Sequence, residues 1–137
     1  MKREEKIQKV IYTAKKYLGT PYKRTARHYQ APDVFNCSTF TRFIFEKVGK
    51  NLPKKAITQA AKGRKVYPKN IKTGDLVFIR GTRGYYNKEF PNGVGHVGIC
   101  VGDDKVISAR GRDKQVVEEK LKNYLKKDQF RTIRRFI

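Results

Sequence analysis

The chain has 137 residues, 38% of them hydrophobic and 12% aromatic, which excludes an intrinsically disordered chain and suits one domain, residues 1–137, with its own core. Thirty-three Lys and Arg against twelve Asp and Glu give a net charge of +21, which points to polyanions such as nucleic acid, anionic wall polymer or anionic membrane. Two cysteines, Cys37 and Cys100, are too few for a disulfide scaffold, and no apolar run is long enough for a transmembrane segment.

The basic residues are spread along the whole chain, so the charge reads as a general field more than as one site. The N-terminus, Met1-Lys2-Arg3-Glu4-Glu5-Lys6, leads into an amphipathic helix and not into a signal-peptide core. The expectation is a chain without a secretion signal. It would be cytoplasmic, released by lysis, carried by a phage, or the mature fragment of a longer precursor. No two of its His and Cys residues are close enough for the usual local zinc hook, so no metal and no cofactor is expected.

Ile7, Val10, Ile11, Ala14, Tyr17 and Leu18 form an apolar stripe that predicts a helix over residues 4–18, ended by Gly19. Residues 19–36 read as a long loop with Tyr22, His28, Tyr29 and Asp33. A second helix is expected from Cys37 to Val48, and a short one around 57–61. Residues 64–74 read as basic and turn-rich. Leu76 to Arg80 reads as a buried strand, and 81–95 as a glycine-rich aromatic loop. His96–Val101 is a strand, Gly102-Asp103-Asp104 a hairpin turn, and 106–109 its return. Val116-Val117 suits a short strand, 118–127 a helix, and 130–137 a closing strand. Helices followed by an antiparallel meander make an α+β pattern.

Cys37 is the nucleophile candidate. It shares a helical stripe with Phe40 and Ile44, so its thiol starts the first turn, where free backbone N–H groups and the helix dipole favour a thiolate. The competing reading is a small buried hydrophobe. His96 is the base candidate. His96, Gly98 and Cys100 share one face of a strand, and the glycines give a partner close access. His28 is the rival base. Ser108, on the strand returning beside His96, is a candidate to accept a hydrogen bond from the imidazole.

Four motifs in order carry a resemblance: Gly19-Thr20-Pro21-Tyr22, Asn36-Cys37-Ser38-Thr39-Phe40, Gly74-Asp75-Leu76-Val77-Phe78 and Gly95-His96-Val97-Gly98-Ile99. Over nearly the whole chain they resemble the NlpC-type cysteine peptidases, a papain-like family that cuts bacterial cell-wall peptides. The resemblance implies a central antiparallel sheet packed against helices, with Cys37 at a helix N-terminus. It implies Cys37 as nucleophile and His96 as general base, and it puts the third catalytic position on Ser108. Tyr22 would lie beside the thiol, and the Cys37 N–H would help form the oxyanion hole. The substrate implied is a peptidoglycan stem peptide, cut at a γ-D-glutamyl–diamino acid bond through a thioester.

The chain departs from that family in three places. Asn36 replaces the aspartate that holds the substrate's amine, although Asn36 and Ser38 keep a polar, substrate-binding edge. Lys23-Arg24-Thr25 replaces Trp-Gly-Gly. Ser108 replaces His, Asn or Gln, which predicts weaker orientation of the imidazole. Two other readings stay open: a weak or inactive polyanion-binding module on the same fold, held to wall polymer or nucleic acid, and an amidase or acyltransferase with another substrate.

Overall fold

The computed structural model describes residues 1–82 and 84–137. Arg83, within the loop expected over residues 81–95, lies outside the described residues. Helices α1 (Arg3–Lys16), α2 (Cys37–Glu46) and α3 (Ala56–Gln59) precede the sheet. Strands β1 (Arg64–Val66), β2 (Leu76–Ile79), β3 (His96–Gly102), β4 (Lys105–Arg110), β5 (Gln115–Lys120) and β6 (Phe130–Arg135) follow. They pair antiparallel in the order β1-β6-β2-β3-β4-β5. This is the α+β arrangement that the motif order implied.

Strand periodicity divides the core in two. The register sets Leu76 beside Ile99 and Ile99 beside Ile107, so these residues share a face. That face packs on α2 through the fully buried Phe40 and Ile44, and α1 adds Val10 and Ala14. Phe35 joins Tyr17, Phe40 and Phe43 by ring contacts with centroids 5.1–6.1 Å apart. The opposite face carries Val77, Ile79, Cys100, Val106 and Ile133, covered by Leu121 and Tyr124. The β3–β4 hairpin turns through Gly102, Asp103 and Asp104, all at positive φ.

Two elements differ from expectation. Residues 118–120 continue β5, paired with β4 from Gln115 opposite Arg110 to Lys120 opposite Lys105. Only a 3₁₀ turn, Leu121–Asn123, stands where the helix over 118–127 was expected. Leu121, Tyr124 and Leu125 are spaced like a helical stripe, but the cross-strand ladder claims the backbone before them. The basic stretch 64–66 is strand β1, its backbone satisfied by β6 at the sheet edge.

Candidate active site

Asn36 starts α2. Its Oδ1 accepts from the Thr39 N–H at 2.9 Å, while its own N–H donates to Thr39 Oγ1 at 2.9 Å, a reciprocal N-terminal cap. Its Nδ2 donates to the carbonyls of Arg24 and Ala26 at 3.1 and 3.2 Å, which ties the preceding loop to the helix start. Ser38 Oγ also donates to Asn36 Oδ1, at 3.2 Å. The polar atoms of Asn36 are thus engaged inside the chain.

Cys37 is half-buried. Its Sγ lies 3.9 Å from the Gly95 carbonyl oxygen, and the N–H groups of Val97, Ser38 and Cys37 itself lower the thiol's pKa. The sulfur therefore sits against the two peptide units that flank His96. Burial outweighs these donors and the nearby Arg110, and raises the thiol above its ordinary pKa. The helix-start donors act in the expected direction, but the net depression expected for Cys37 is absent because desolvation is the larger effect.

His96 is buried. Its Nε2 lies 3.1 Å from Ser108 Oγ and 2.9 Å from Tyr124 Oη. The two hydroxyls are 2.8 Å apart, and both donate to Glu119 Oε1, from Ser108 at 3.2 Å and from Tyr124 at 2.8 Å. Glu119 Oε2 meets Arg112 at 2.9 Å and Arg110 at 3.5 Å. Burial, then Arg110 and Arg112, hold the imidazole well below the ordinary histidine pKa. Both shifts favour the uncharged forms, the thiol and the neutral imidazole.

Tyr22 bridges to Phe35, two residues before Cys37, and its N–H donates to the Lys114 carbonyl at 3.0 Å. A Cβ at Gly111 would come within 3.1 Å of the Tyr22 ring, so the β4–β5 turn passes close over it. Cys37, His96 and Ser108 are thus brought to one end of the sheet, with Tyr22, Asn36 and Ser38 around the helix start. His28 is elsewhere: its Nε2 pairs with Glu46 at 2.6 Å, at the far end of α2, ~13 Å of helix rise from Cys37. Cys100 is buried in the second core cluster, and burial and Asp75 push its thiol pKa up.

The sequence pattern of the NlpC/P60 family matches residues 19–135, from the Gly19 turn into β6. The chain belongs to the NlpC/P60 family. A "probable endopeptidase p60" of Listeria grayi is 37% identical over 97 residues, covering 71% of this chain and 17% of that protein. A "gamma-DL-glutamyl hydrolase" of Bacillus subtilis is 33% identical over 132 residues, covering 93% of this chain and 29% of that protein. The chain thus spans less than a third of either relative. The crystal structure of an NlpC/P60 family protein from Bacillus cereus superposes with a TM-score of 0.80 at 25% identity, over 95% of this chain and 40% of that one.

Within this NlpC/P60 fold, sequence reasoning missed Tyr124, Glu119, Arg110 and Arg112. One signal was available for Glu119. Extending the alternation of 115–117 to residue 120 puts Glu119 on the face of Val117, opposite Val106 and beside Ser108. Tyr124 was expected to point inward, which it does at 1% exposure, but from a turn and not a helix.

Proposed function

We propose that this chain is a cysteine peptidase that cuts the γ-D-glutamyl–diamino acid bond of peptidoglycan stem peptides through a thioester. The observation that carries the reading is the seat of Cys37 Sγ against the backbone on both sides of His96, with the Nε2 of that imidazole engaged by two hydroxyls. Nε2 is occupied, so Nδ1 is the nitrogen that serves as base. It takes the proton from Sγ as sulfur attacks the substrate carbonyl. The Cys37 N–H donates to the oxyanion, beside Tyr22. The imidazolium then protonates the leaving amine, which departs and leaves the acyl thioester. Water, deprotonated by the same nitrogen, attacks the thioester and releases the acid and the thiol. The proton moves off sulfur during attack, because burial disfavours a standing thiolate–imidazolium pair. Arg110 favours the thiolate and opposes the imidazolium.

A second substrate for the same chemistry has its own support. The Bacillus subtilis relative is named a gamma-DL-glutamyl hydrolase, this chain carries +21, and Asn36 brings no carboxylate to hold a substrate amine. An anionic γ-glutamyl chain fits those three facts. The same charge would hold the protein to anionic wall polymer or nucleic acid.

Digestion of purified muropeptides and of poly-γ-glutamate, with product masses read for wild type and Cys37→Ala, tests the reading. New termini at the γ-D-glutamyl bond of the stem peptide, absent with Cys37→Ala, are expected. Cleavage of poly-γ-glutamate alone selects the second substrate. Cleavage that survives Cys37→Ala, or none on either substrate, overturns both.

A further inference from the structure

We propose that Tyr124 and Glu119 are positioning residues for His96. With Ser108, they form a hydroxyl pair closed by a carboxylate that holds the proton on Nε2 and leaves Nδ1 unprotonated, able to act as base. The proposal rests on the role given above to His96 as base.

The number of protons available to this cluster favours the Nε2–H tautomer. A carboxylate only accepts, and Glu119 Oε1 lies within reach of both hydroxyls, at 3.2 Å from Ser108 and 2.8 Å from Tyr124. Those two hydroxyls also touch each other and His96 Nε2, which makes five contacts with two hydroxyl protons among them. If Nε2 bore no proton, a hydroxyl would have to turn from the carboxylate to serve it. With Nε2 protonated, both hydroxyls serve Glu119 and their oxygens accept from the imidazole. The side chain of Glu119 is 8% exposed, and Arg110 and Arg112 hold its other oxygen, so its acceptors stay aimed.

The backbone around the pair is shaped for the phenol. Gly98 lies two residues along β3 from His96, on the same face. A Cβ there would fall 3.1 Å from the Tyr124 ring and 3.2 Å from its oxygen. A side chain there would meet Val106 first, with Cγ1 2.4 Å away, and then the ring, so Gly98 leaves room for both residues beside β3. Burial and Glu119 push the phenol well above its usual pKa, so it stays a donor. Ser108 alone is a weak orienting group. The tyrosine and the glutamate supply what the serine lacks.

The chain has two histidines, His28 and His96, so the His96 ring nitrogens can be followed by ¹⁵N NMR in the intact protein, with His28→Gln for assignment. The titrating and charged groups around His96 are Cys37 on α2, Arg110 on β4, Arg112 on the turn, Glu119 on β5 and Tyr124. The Nε2–H tautomer is expected in the wild type. Tyr124→Phe and Glu119→Gln should mix the tautomers and lower kcat about tenfold, one hydrogen bond's worth, with KM held. Ser108→Ala with Tyr124→Phe should lose more than the product of the single losses, because each hydroxyl covers for the other. An Nδ1–H tautomer in the wild type overturns the proposal. So do folded Tyr124→Phe and Glu119→Gln proteins with the wild-type tautomer and kcat. The tautomer is read without substrate. An Nε2–H spectrum that mixes in the variants therefore supports the proposal even where no stem peptide is cut, and that result would count against the substrate reading alone.

Discussion

Cys37 and His96 are displaced from their ordinary pKa values in opposite senses, the thiol upward and the imidazole downward, and burial is the first cause of both. Each shift favours the uncharged form, so in the proposed mechanism the base is ready over a wide range and the nucleophile is made on demand. The acid limb of kcat/KM reports protonation of free His96. A lowered imidazole pKa keeps the base available until the pH falls well below 6.5, so activity is expected to persist into mildly acidic solution. An acid limb at or above 6.5 would contradict this. Arg110 lowers the His96 pKa, so Arg110→Met should move the limb to higher pH. The placement of Cys37 at a helix start and His96 at a strand start was legible because spacing and alternation report where side chains point. The thiol's net shift was not legible. Helix-start donors can be seen in a sequence, whereas desolvation depends on what packs above the helix.

At the level of elements, α2 and β3 do the positioning, and both are strongly patterned. Phe40 is fully buried between Phe35 and the sheet, so Phe40→Ala should cost about 3–5 kcal/mol in denaturant titration. Asn36→Ala removes the cap and two ties to the preceding loop. A loss of about 1–2 kcal/mol is expected. If Asn36→Ala instead left stability unchanged while weakening substrate binding, the residue would be a substrate contact and not chiefly a cap. The α+β class and most element positions follow from periodicity and turn residues, and the family arrangement from the four motifs. The stretch after Val117 shows where periodicity runs out. Val116, Val117 and Glu119 suit a strand, whereas Leu121, Tyr124 and Leu125 mimic a helix face. The long pairing of β5 with β4 decides between them. Tyr124 reaches His96, and Glu119 reaches the two hydroxyls beside it, only once that pairing is in place, so the acceptor network behind the imidazole is a tertiary property. Ser108 could be found by counting along a hairpin. Tyr124, 28 residues from His96, could not.

Across the whole molecule, the apolar core lies on both faces of one sheet, and most of the charge lies outside it, with the Asp75–Arg135 pair and Glu119 as buried exceptions. Among the described residues, no helix is long and apolar enough to cross a membrane. A net charge of +21 makes salt a lever on any anionic polymer it meets. Affinity for poly-γ-glutamate or wall teichoic acid, measured by co-sedimentation, should fall steeply between low and physiological salt, while kcat on a short stem peptide stays nearly flat. A salt-independent affinity would point to a built pocket in place of a field.

The rate of alkylation at Cys37 against pH tests the thiol–imidazole pair most directly, with sites mapped by mass spectrometry in wild type and His96→Ala. A small ion-paired fraction should give the wild type a shallow plateau between the lowered imidazole pKa and the raised thiol pKa. Labelling should fall on Cys37 and spare Cys100. In His96→Ala the plateau should vanish, leaving one alkaline rise. Equal profiles for the two proteins would mean that His96 does not act on this sulfur, and the peptidase assignment would fall with it.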